Sequence, residues 1–283
     1  MLGKKKEKLP QYIPSALNTP MTNYRTYVMS AKEKIINGLL IFIIGGLVAL
    51  VFYGGQFLDE DGLRTQATLI SDIVIFVIFG LLVTKIYMPI RREKLREKRK
   101  TRLTQQFRSF LESMAVSLSS GMNVPESLNG AYNDLKIEYT DDADMIKEVE
   151  EMIKGIQNNI AIEVMIRDLG NRSEIDDIKN FAEVFAVSYR AGGNLKDVVR
   201  KSSTIISEKI EISAEIETAL ASNKMQFNAM MVIPVVLVLM LRFMSSDFAA
   251  SFSTVTGIFV TTIALCIFFA AYKLGNKIMK VKG

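Results

Sequence analysis

Four apolar runs of membrane-spanning length constrain this chain more than any other feature. They occupy residues 35–53, 69–88, 227–244 and 255–272. A helix needs about 20 mostly apolar residues to cross the hydrocarbon core of a bilayer, and it satisfies its backbone hydrogen bonds internally. The sequence therefore predicts an all-α, polytopic membrane protein with four transmembrane helices, arranged as two hairpins around a helical middle segment.

The charges beside these runs predict the orientation. Lys and Arg are concentrated before the first run, after the second and after the last, whereas the first hairpin carries Asp59, Glu60 and Asp61. Loops rich in basic residues stay in the cytoplasm. We therefore expect a multi-pass protein of the inner (plasma) membrane with both termini in the cytoplasm. Basic residues at these positions also contact anionic lipid headgroups, so membrane lipids are expected partners and nucleic acid is not.

The runs divide the chain into five segments. These are a basic cytoplasmic N-terminal segment (1–34), a transmembrane hairpin (35–88), a cytoplasmic helical domain (89–226), a second transmembrane hairpin (227–272) and a basic cytoplasmic tail (273–283). Residues 91–102 hold eight basic and two acidic residues, whereas residues 103–226 hold thirteen basic and twenty-one acidic residues. The middle domain is therefore predicted to be acidic, next to a basic collar.

Apolar residues recur at spacings of three and four throughout the middle segment, which predicts an antiparallel helical bundle. The first helix is expected to end at Gly121, and Pro125 to begin the second. Thr140 is the predicted N-cap of the third helix, the fourth covers residues 161–169, and Ser173 is the predicted N-cap of the fifth.

A long helix is predicted to follow. Gly192 and Gly193 end the preceding helix, and one of them is expected to need a positive φ. From Asn194 the apolar pattern continues without Gly or Pro as far as Pro234, inside the third apolar run. One continuous helix should therefore enter the membrane, with an apolar spacing near 3.5 that is typical of coiled-coil-like packing.

Several kinds of chemistry are missing from the sequence. There is no histidine, Cys266 is the single cysteine, and no phosphate-binding glycine motif occurs. We therefore expect no catalytic residues, no cofactor and no metal site. The acidic cluster at residues 141–151 is compatible with a divalent cation, but a solvated helix face explains it better. The charged residues in the spans are Asp72, Lys85 and Arg242, and snorkelling toward the interface explains them at span ends.

Two stretches of the middle segment resemble the type II secretion system F domain. They are LESMAVSLSSGMNVPESL at residues 111–128 and FAVSYRAGGNLKDVV at residues 185–199. The positions that match the turns of that family are Gly121, Pro125, Tyr189, Gly192 and Gly193. Two spans before a single F domain and two after it are similar to the Tad pilus branch of the family, TadB or TadC.

The resemblance implies an inner-membrane platform protein without catalytic activity. Such a platform works with a cytoplasmic hexameric secretion ATPase to move pilin subunits into a filament, alongside a paralogous platform protein or a second copy of itself. Glu148, Glu150 and Glu151 are the predicted contact surface for the ATPase. Two alternatives are a subunit of a membrane transporter or channel, and a membrane-bound enzyme that uses only carboxylates and lysine.

Overall fold

The computed structural model of the protein describes residues 9–57 and 65–278, without the side chains of residues 246 and 247. Helix accounts for 81% of the structure, which confirms the predicted all-α class. In the described ranges the helices are α1 (Ala31–Tyr53), α2 (Gln66–Ser119), α3 (Val124–Glu138), α4 (Asp144–Gln157), α5 (Ile162–Ser173), α6 (Asp176–Arg190), α7 (Leu195–Met244), α8 (Ser246–Ser251) and α9 (Val255–Ile278). Two short strands, β1 (Tyr12–Pro14) and β2 (Pro20–Thr22), pair antiparallel near the N-terminus.

Four of these helices, α1, α2, α7 and α9, are long and apolar enough to cross a membrane, as predicted. The described chain divides into two compact units. The bundle unit contains residues 9–28 and 92–212, and the membrane unit contains residues 29–91 and 213–278. Two of the boundaries between the units fall inside helices, one in α2 after residue 91 and one in α7 after residue 212. Both helices are long, with 54 residues in α2 and 50 in α7.

In the membrane unit, α1 and α2 pack through glycines that face aromatic rings. A Cβ added at Gly46 would lie 2.5 Å from the ring of Phe76, and one added at Gly80 would lie 2.7 Å from the ring of Phe42. Phe42 and Phe76 in turn meet edge to face, with ring centroids 5.3 Å apart. Small residues let membrane helices approach closely, so any larger residue at these two positions would push α1 and α2 apart.

The C-terminal end of α1 is held by Arg242 of α7. The Arg242 Nη1 atom donates hydrogen bonds to the carbonyl oxygens of Leu50 (2.9 Å) and Val51 (2.6 Å), and Nη2 donates to the carbonyl of Gly54. The last carbonyls of a helix have no partner inside the helix, and in an apolar environment each unpaired group is costly. Arg242 is therefore a capping residue for another helix.

The turn after α1 is bound from two further segments. The backbone N–H of Gly55 donates to the Asp72 Oδ1 atom of α2 (2.7 Å), and the Ser253 hydroxyl donates to the carbonyl of Gly55 (2.7 Å). The prediction that Asp72 and Arg242 reach toward the interface thus missed their role, because both charged groups bind backbone atoms of the turn that follows α1.

We predict that Arg242→Met destabilises the membrane unit. The substitution removes the Arg242 hydrogen bonds to the part-buried carbonyls of Val51 and Gly54, at a cost of about 1–3 kcal/mol. Urea unfolding of the full chain in detergent micelles measures the change. Lys85→Met is the matched control, since the Lys85 side chain is exposed and its loss should leave the midpoint unchanged. Equal midpoints for the two variants would contradict the capping role.

In the bundle unit, α2 and α3 run antiparallel along a seam of small polar contacts. Ser109 donates to Glu138 (3.1 Å), and Ser113 donates to Asp134 one turn further along each helix. One more turn along, Gly130 lies so close to α2 that an added Cβ would be 2.9 Å from the Ser117 hydroxyl. The regular spacing of four fixes the register of the two helices.

The core of the bundle unit lies between α2, α6 and their neighbours. Phe107 and Phe181 are buried and meet edge to face at 5.5 Å, and Phe185 continues the aromatic series along α6. Helix α7 closes the core with Val199, Ser203 and Ile206, which are buried. Their spacing of four and three agrees with the predicted coiled-coil-like packing.

Ion pairs show which loops lie at each end of the bundle. Arg99 of α2 binds Asp144 at the start of α4 (2.9 and 2.5 Å), and Lys100 lies 3.8 Å from Glu174, just before α6. The α3–α4 and α5–α6 loops therefore lie beside residues 99–100. Since successive helices reverse direction, the α2–α3, α4–α5 and α6–α7 loops lie at the opposite end, which we call the distal end.

Three predicted helix boundaries were wrong. Helix α4 begins after Ala143, because Thr140 bonds the side chain of Asp142 (2.5 Å) and its carbonyl accepts from the N–H of Ala143. Helix α5 continues through Gly170 to Ser173, so Ser173 ends α5 and does not cap α6. Local side-chain hydrogen bonds of Ser and Thr support turns as well as caps, so they do not fix a boundary.

Candidate functional site

The distal end brings the predicted family positions together in two turns. Gly121 follows α2 with φ +86°, and Gly192 follows α6 with φ +65°, which confirms the expectation that one residue of the glycine pair has a positive φ. A Cβ added at either glycine would meet no atom within 4 Å. Glycine is therefore favoured at both positions by backbone conformation and not by lack of space.

The helices that follow these two turns begin with side-chain caps. Asn123 accepts the N–H of Glu126 (2.9 Å), and Glu126 accepts the N–H of Asn123 (3.2 Å), while Pro125 occupies the first turn of α3. At the start of α7, Asn194 accepts the N–H of Asp197 (3.4 Å). The caps satisfy backbone donors that the new helix leaves unpaired.

Tyr189 connects the second turn to the core. Its ring stacks on Phe185 with centroids 5.8 Å apart, and the side chain is partly exposed at the surface. The next residue, Arg190, donates to Glu163 of α5 (3.2 Å) and so ties the end of α6 to its neighbour. The distal end is thus a fixed surface made of turns and half-exposed side chains.

The predicted acidic surface on α4 is wrong for two of its three residues. Glu148 is 1% exposed and Glu151 is 6% exposed, whereas Glu150 faces outward and pairs with Lys154 (2.7 Å). Glu148 lies three residues after Met145 and four before Met152, both of which are buried core residues. This spacing places it on the inner face of α4, and the sequence carries that signal.

The N-terminal segment covers these two carboxylates. Residues 10–25, which we call the N-terminal strap, form the β1–β2 hairpin and its flanking turns on α4 and α5. At the hairpin turn, the hydroxyls of Ser15 (2.7 Å) and Thr19 both donate to the Glu151 Oε1 atom. The tip residue Leu17 packs beside Gly155, where an added Cβ would be 3.1 Å from the Leu17 Cδ1 atom.

Under the strap, Glu148 of α4 and Arg172 of α5 form a buried bidentate ion pair. Arg172 Nη1 donates to Glu148 Oε1 (2.8 Å), Nη2 donates to Oε2 (2.6 Å), and Nε donates to Asp168 (2.7 Å). The Tyr24 hydroxyl of the strap also donates to Glu148 (2.8 Å). A donor or acceptor that is shielded from water needs a hydrogen-bond partner within the protein, and the strap supplies one such partner to Glu148 through Tyr24.

Burial and charge act in opposite directions on the pKa values of this cluster. Burial raises the pKa of the Glu148 carboxyl, and the hydrogen bonds from Arg172 and Tyr24 offset that rise in part. Burial lowers the pKa of the Arg172 guanidinium, but the contacts with Glu148 outweigh it and raise the pKa above its ordinary range. Burial and the nearby Glu148 raise the pKa of Tyr24, so its hydroxyl remains a donor.

The strap residues were missed by sequence reasoning, which treats residues 1–34 as a basic segment beside the membrane. Tyr24 is 2% exposed, its backbone N–H donates to the carbonyl of Arg172 (3.2 Å), and the guanidinium of Arg99 lies 5.3 Å from its ring centre. The available signals were Pro14, Asn18 and Pro20, which are turn-forming residues around a short hairpin.

The chemistry of this cluster is that of a structural ion pair. Among the residues that the structure describes, no group of three or more His, Cys, Asp or Glu side chains is placed to hold a metal ion. Glu148 and Asp168 instead each pair with Arg172. The arrangement holds helices and strap together.

We predict that Arg172→Met costs about 3–5 kcal/mol of unfolding free energy, because it leaves Glu148 buried without its counterion. Urea unfolding of the full chain in detergent gives the value. The double variant Arg172→Met/Glu148→Met should regain most of the loss, since the buried Glu148 charge is then gone and the Asp168 carboxylate, whose side chain is 20% exposed, remains in reach of water. As a surface control, Lys154→Met should cost no more than about 0.5 kcal/mol. A double variant as unstable as the single one would contradict this account.

The glycine turns give a second prediction. Gly192→Val should cost about 1–2 kcal/mol, because a β-branched residue is strained at positive φ. Gly192→Asn should cost clearly less, since asparagine tolerates the left-handed region and the space around this position is open. The same unfolding measurement compares the two variants, and equal losses would show that strain at φ +65° is not the cause.

A comparison with known protein families finds a match that includes both glycine turns. The family model described as Type II secretion system (T2SS), protein F, matches residues 110–242, from the core of the bundle to the capping arginine at the end of α7. No curated protein and no solved structure matches the chain significantly. Residues 110–242 are therefore similar to protein F of the type II secretion system.

Proposed function

We propose that this protein is an inner-membrane platform of a machine that assembles pili or secretes proteins. The observation that carries the proposal is the protein F domain at residues 110–242, in a chain with four helices able to span a membrane. Membrane platforms of secretion and pilus-assembly machines contain domains of this family. A platform needs no catalytic group of its own, and the sequence has neither histidine nor a phosphate-binding glycine motif.

In this proposal both termini and the bundle unit face the cytoplasm. The support is the distribution of charge, since residues 91–102 carry eight basic residues and the first hairpin loop is acidic. The arrangement of two spans on each side of one F domain favours the Tad pilus branch. Pilin subunits would then be the substrates, and a paralogous platform protein or a second copy would complete the assembly.

The partner that supplies the work is proposed to be a cytoplasmic hexameric secretion ATPase that binds the bundle unit. Residues 103–226 carry a net charge of −8, which favours a basic partner surface. Because Glu148 and Glu151 are buried, the contact would use acidic residues on and before α4 that reach the surface, namely the exposed Asp141 and Asp142 and the half-exposed Glu150.

Charge reversal tests this contact. The triple variant Asp141→Lys/Asp142→Lys/Glu150→Lys should bind the ATPase at least about tenfold more weakly and with less dependence on salt, because exposed charges steer and screen such contacts. Glu183→Lys, on the exposed face of α6, is the matched control and should bind almost normally. If one reversal at residue 183 weakens binding as much as the triple change, the effect is not specific to the α4 surface.

The broader function is tested by purification and by deletion. Full-length protein isolated in mild detergent should contain a secretion ATPase and further platform chains, and should hydrolyse no ATP once these are removed. Cells that lack the protein should lose the filament or the secreted substrate. Hydrolysis by the isolated chain, or normal filaments in the deletion strain, would overturn the proposal.

A transporter or channel subunit is the less favoured alternative. A transport pathway needs polar groups that face a cavity inside the membrane. Instead, the Arg242 and Asp72 side chains bind backbone atoms of the turn after α1. A groove of about 460 Å³ between α1, α2 and α9 is lined almost entirely by apolar residues.

A further inference from the structure

The N-terminal strap is more than a flanking segment, because it is bound to the bundle from its hairpin turn to its C-terminal end. Its turn binds Glu151 through two hydroxyls. Its C-terminal end seats Tyr24 on Glu148 and places Arg25 against the carbonyl of Asn171 (2.9 Å) and the carboxylate of Glu174 (3.3 Å). These contacts are spread over both α4 and α5. The strap therefore has a single defined position on the bundle.

The buried members of this interface make the position stable. Tyr24 is 2% exposed, and Glu148 and Arg172 under it are 1% and 3% exposed. Arg172 also donates to the carbonyl of Thr22 in β2 (3.3 Å), so the same guanidinium binds both the helix α4 and the strap. Moving the strap away would break hydrogen bonds to a charged group from which water is excluded, which is costly.

The strap leads directly into the first membrane helix. Only residues 26–30 separate it from α1, which begins at Ala31 behind a capping box formed by Ser30 and Glu33. A chain of five residues spans at most about 18 Å when fully extended, so the start of α1 cannot move further than that from the end of the strap. The chain thus passes between the bundle unit and the membrane unit three times, before α1, within α2 and within α7.

We propose that the N-terminal strap is a brace that carries load from α4 and α5 of the bundle to the first membrane helix. In a platform that transmits work to the membrane, movement of these helices would then act on α1 as well as on α2 and α7. The purpose of the brace depends on the proposed function, but the docking of the strap on the bundle does not. The brace requires that the strap stays docked and that its connection to α1 is short.

Two variants of the full chain change separately the flexibility of the connection to α1 and the docking of the strap. Both are expressed in a deletion strain that has lost the filament. In the slack variant, about 20 Gly and Ser residues are inserted after Thr26, which leaves the strap intact but makes its connection to α1 flexible. The matched control carries the same insertion before Pro10, outside the strap. The slack variant should assemble no filaments, and the control should assemble them normally.

The locked variant tests whether the strap has to leave. Arg25→Cys/Glu174→Cys in a Cys266→Ser background is joined by a short bis-maleimide, since both side chains are partly exposed. The contacts that are lost lie at the surface: the Arg25–Glu174 and Lys100–Glu174 ion pairs and the Arg25 bond to the Asn171 carbonyl. The brace predicts normal filaments from the locked variant. Loss of filaments only after cross-linking would overturn it, because it would show that the strap must be released.

Hydrogen exchange separates the brace from the proposed function. The amide of Tyr24 should be as protected in the slack variant as in the wild type, because its bond to Arg172 is unchanged. Loss of that protection would show an undocked strap and contradict the rigid interface. Normal filaments from a slack variant with a protected strap would overturn the brace while leaving the platform function in place. Filaments that survive deletion of the protein would instead overturn the platform function.

Discussion

The buried ion pair of Glu148 and Arg172 is the interaction on which the bundle unit most depends. Each charge loses its water, and such a loss is tolerated only when geometry and further hydrogen bonds are good. Here the pair is bidentate, at 2.8 and 2.6 Å, and Asp168 and Tyr24 occupy the remaining positions. Helices α4 and α5 supply the pair, and the strap completes it. One arrangement of charges therefore determines how two helices and the N-terminal segment fit together.

In the membrane unit a second arginine, Arg242, binds polar backbone groups at the end of α1. The end of α1 exposes carbonyl groups where apolar surroundings make unpaired groups costly, and Arg242 supplies three hydrogen bonds to them. Asp72 binds the N–H that follows, at 2.7 Å. In both units, then, a guanidinium joins segments that are far apart in sequence. These contacts account for Arg242 and Asp72 near the ends of the spans.

The functional proposal and the architecture support each other at the level of single elements. The family positions Gly121 and Gly192 lie at one end of the bundle and reverse the chain there, so that α7 can return along the core before it continues to Met244. The strap is held at α4 and α5, away from those turns in sequence and in contacts. The proposed platform function would use such connections, because transmission of movement requires fixed contacts and continuous helices.

The sequence by itself determined the features that depend on neighbouring residues. Apolar run length predicts the four spans, the absence of Gly and Pro predicts the single helix from residue 195 to Pro234, and the glycine pair predicts a left-handed turn at Gly192. Only the tertiary structure determined which partners the charged side chains bind. Glu148 meets Tyr24 across 124 positions, Glu151 meets Ser15 across 136, and Arg242 meets Leu50 across 192. The spacing on α4 places Glu148 on the inner face of the helix, but no local window shows which group binds its carboxylate, because packing alone brings that partner near.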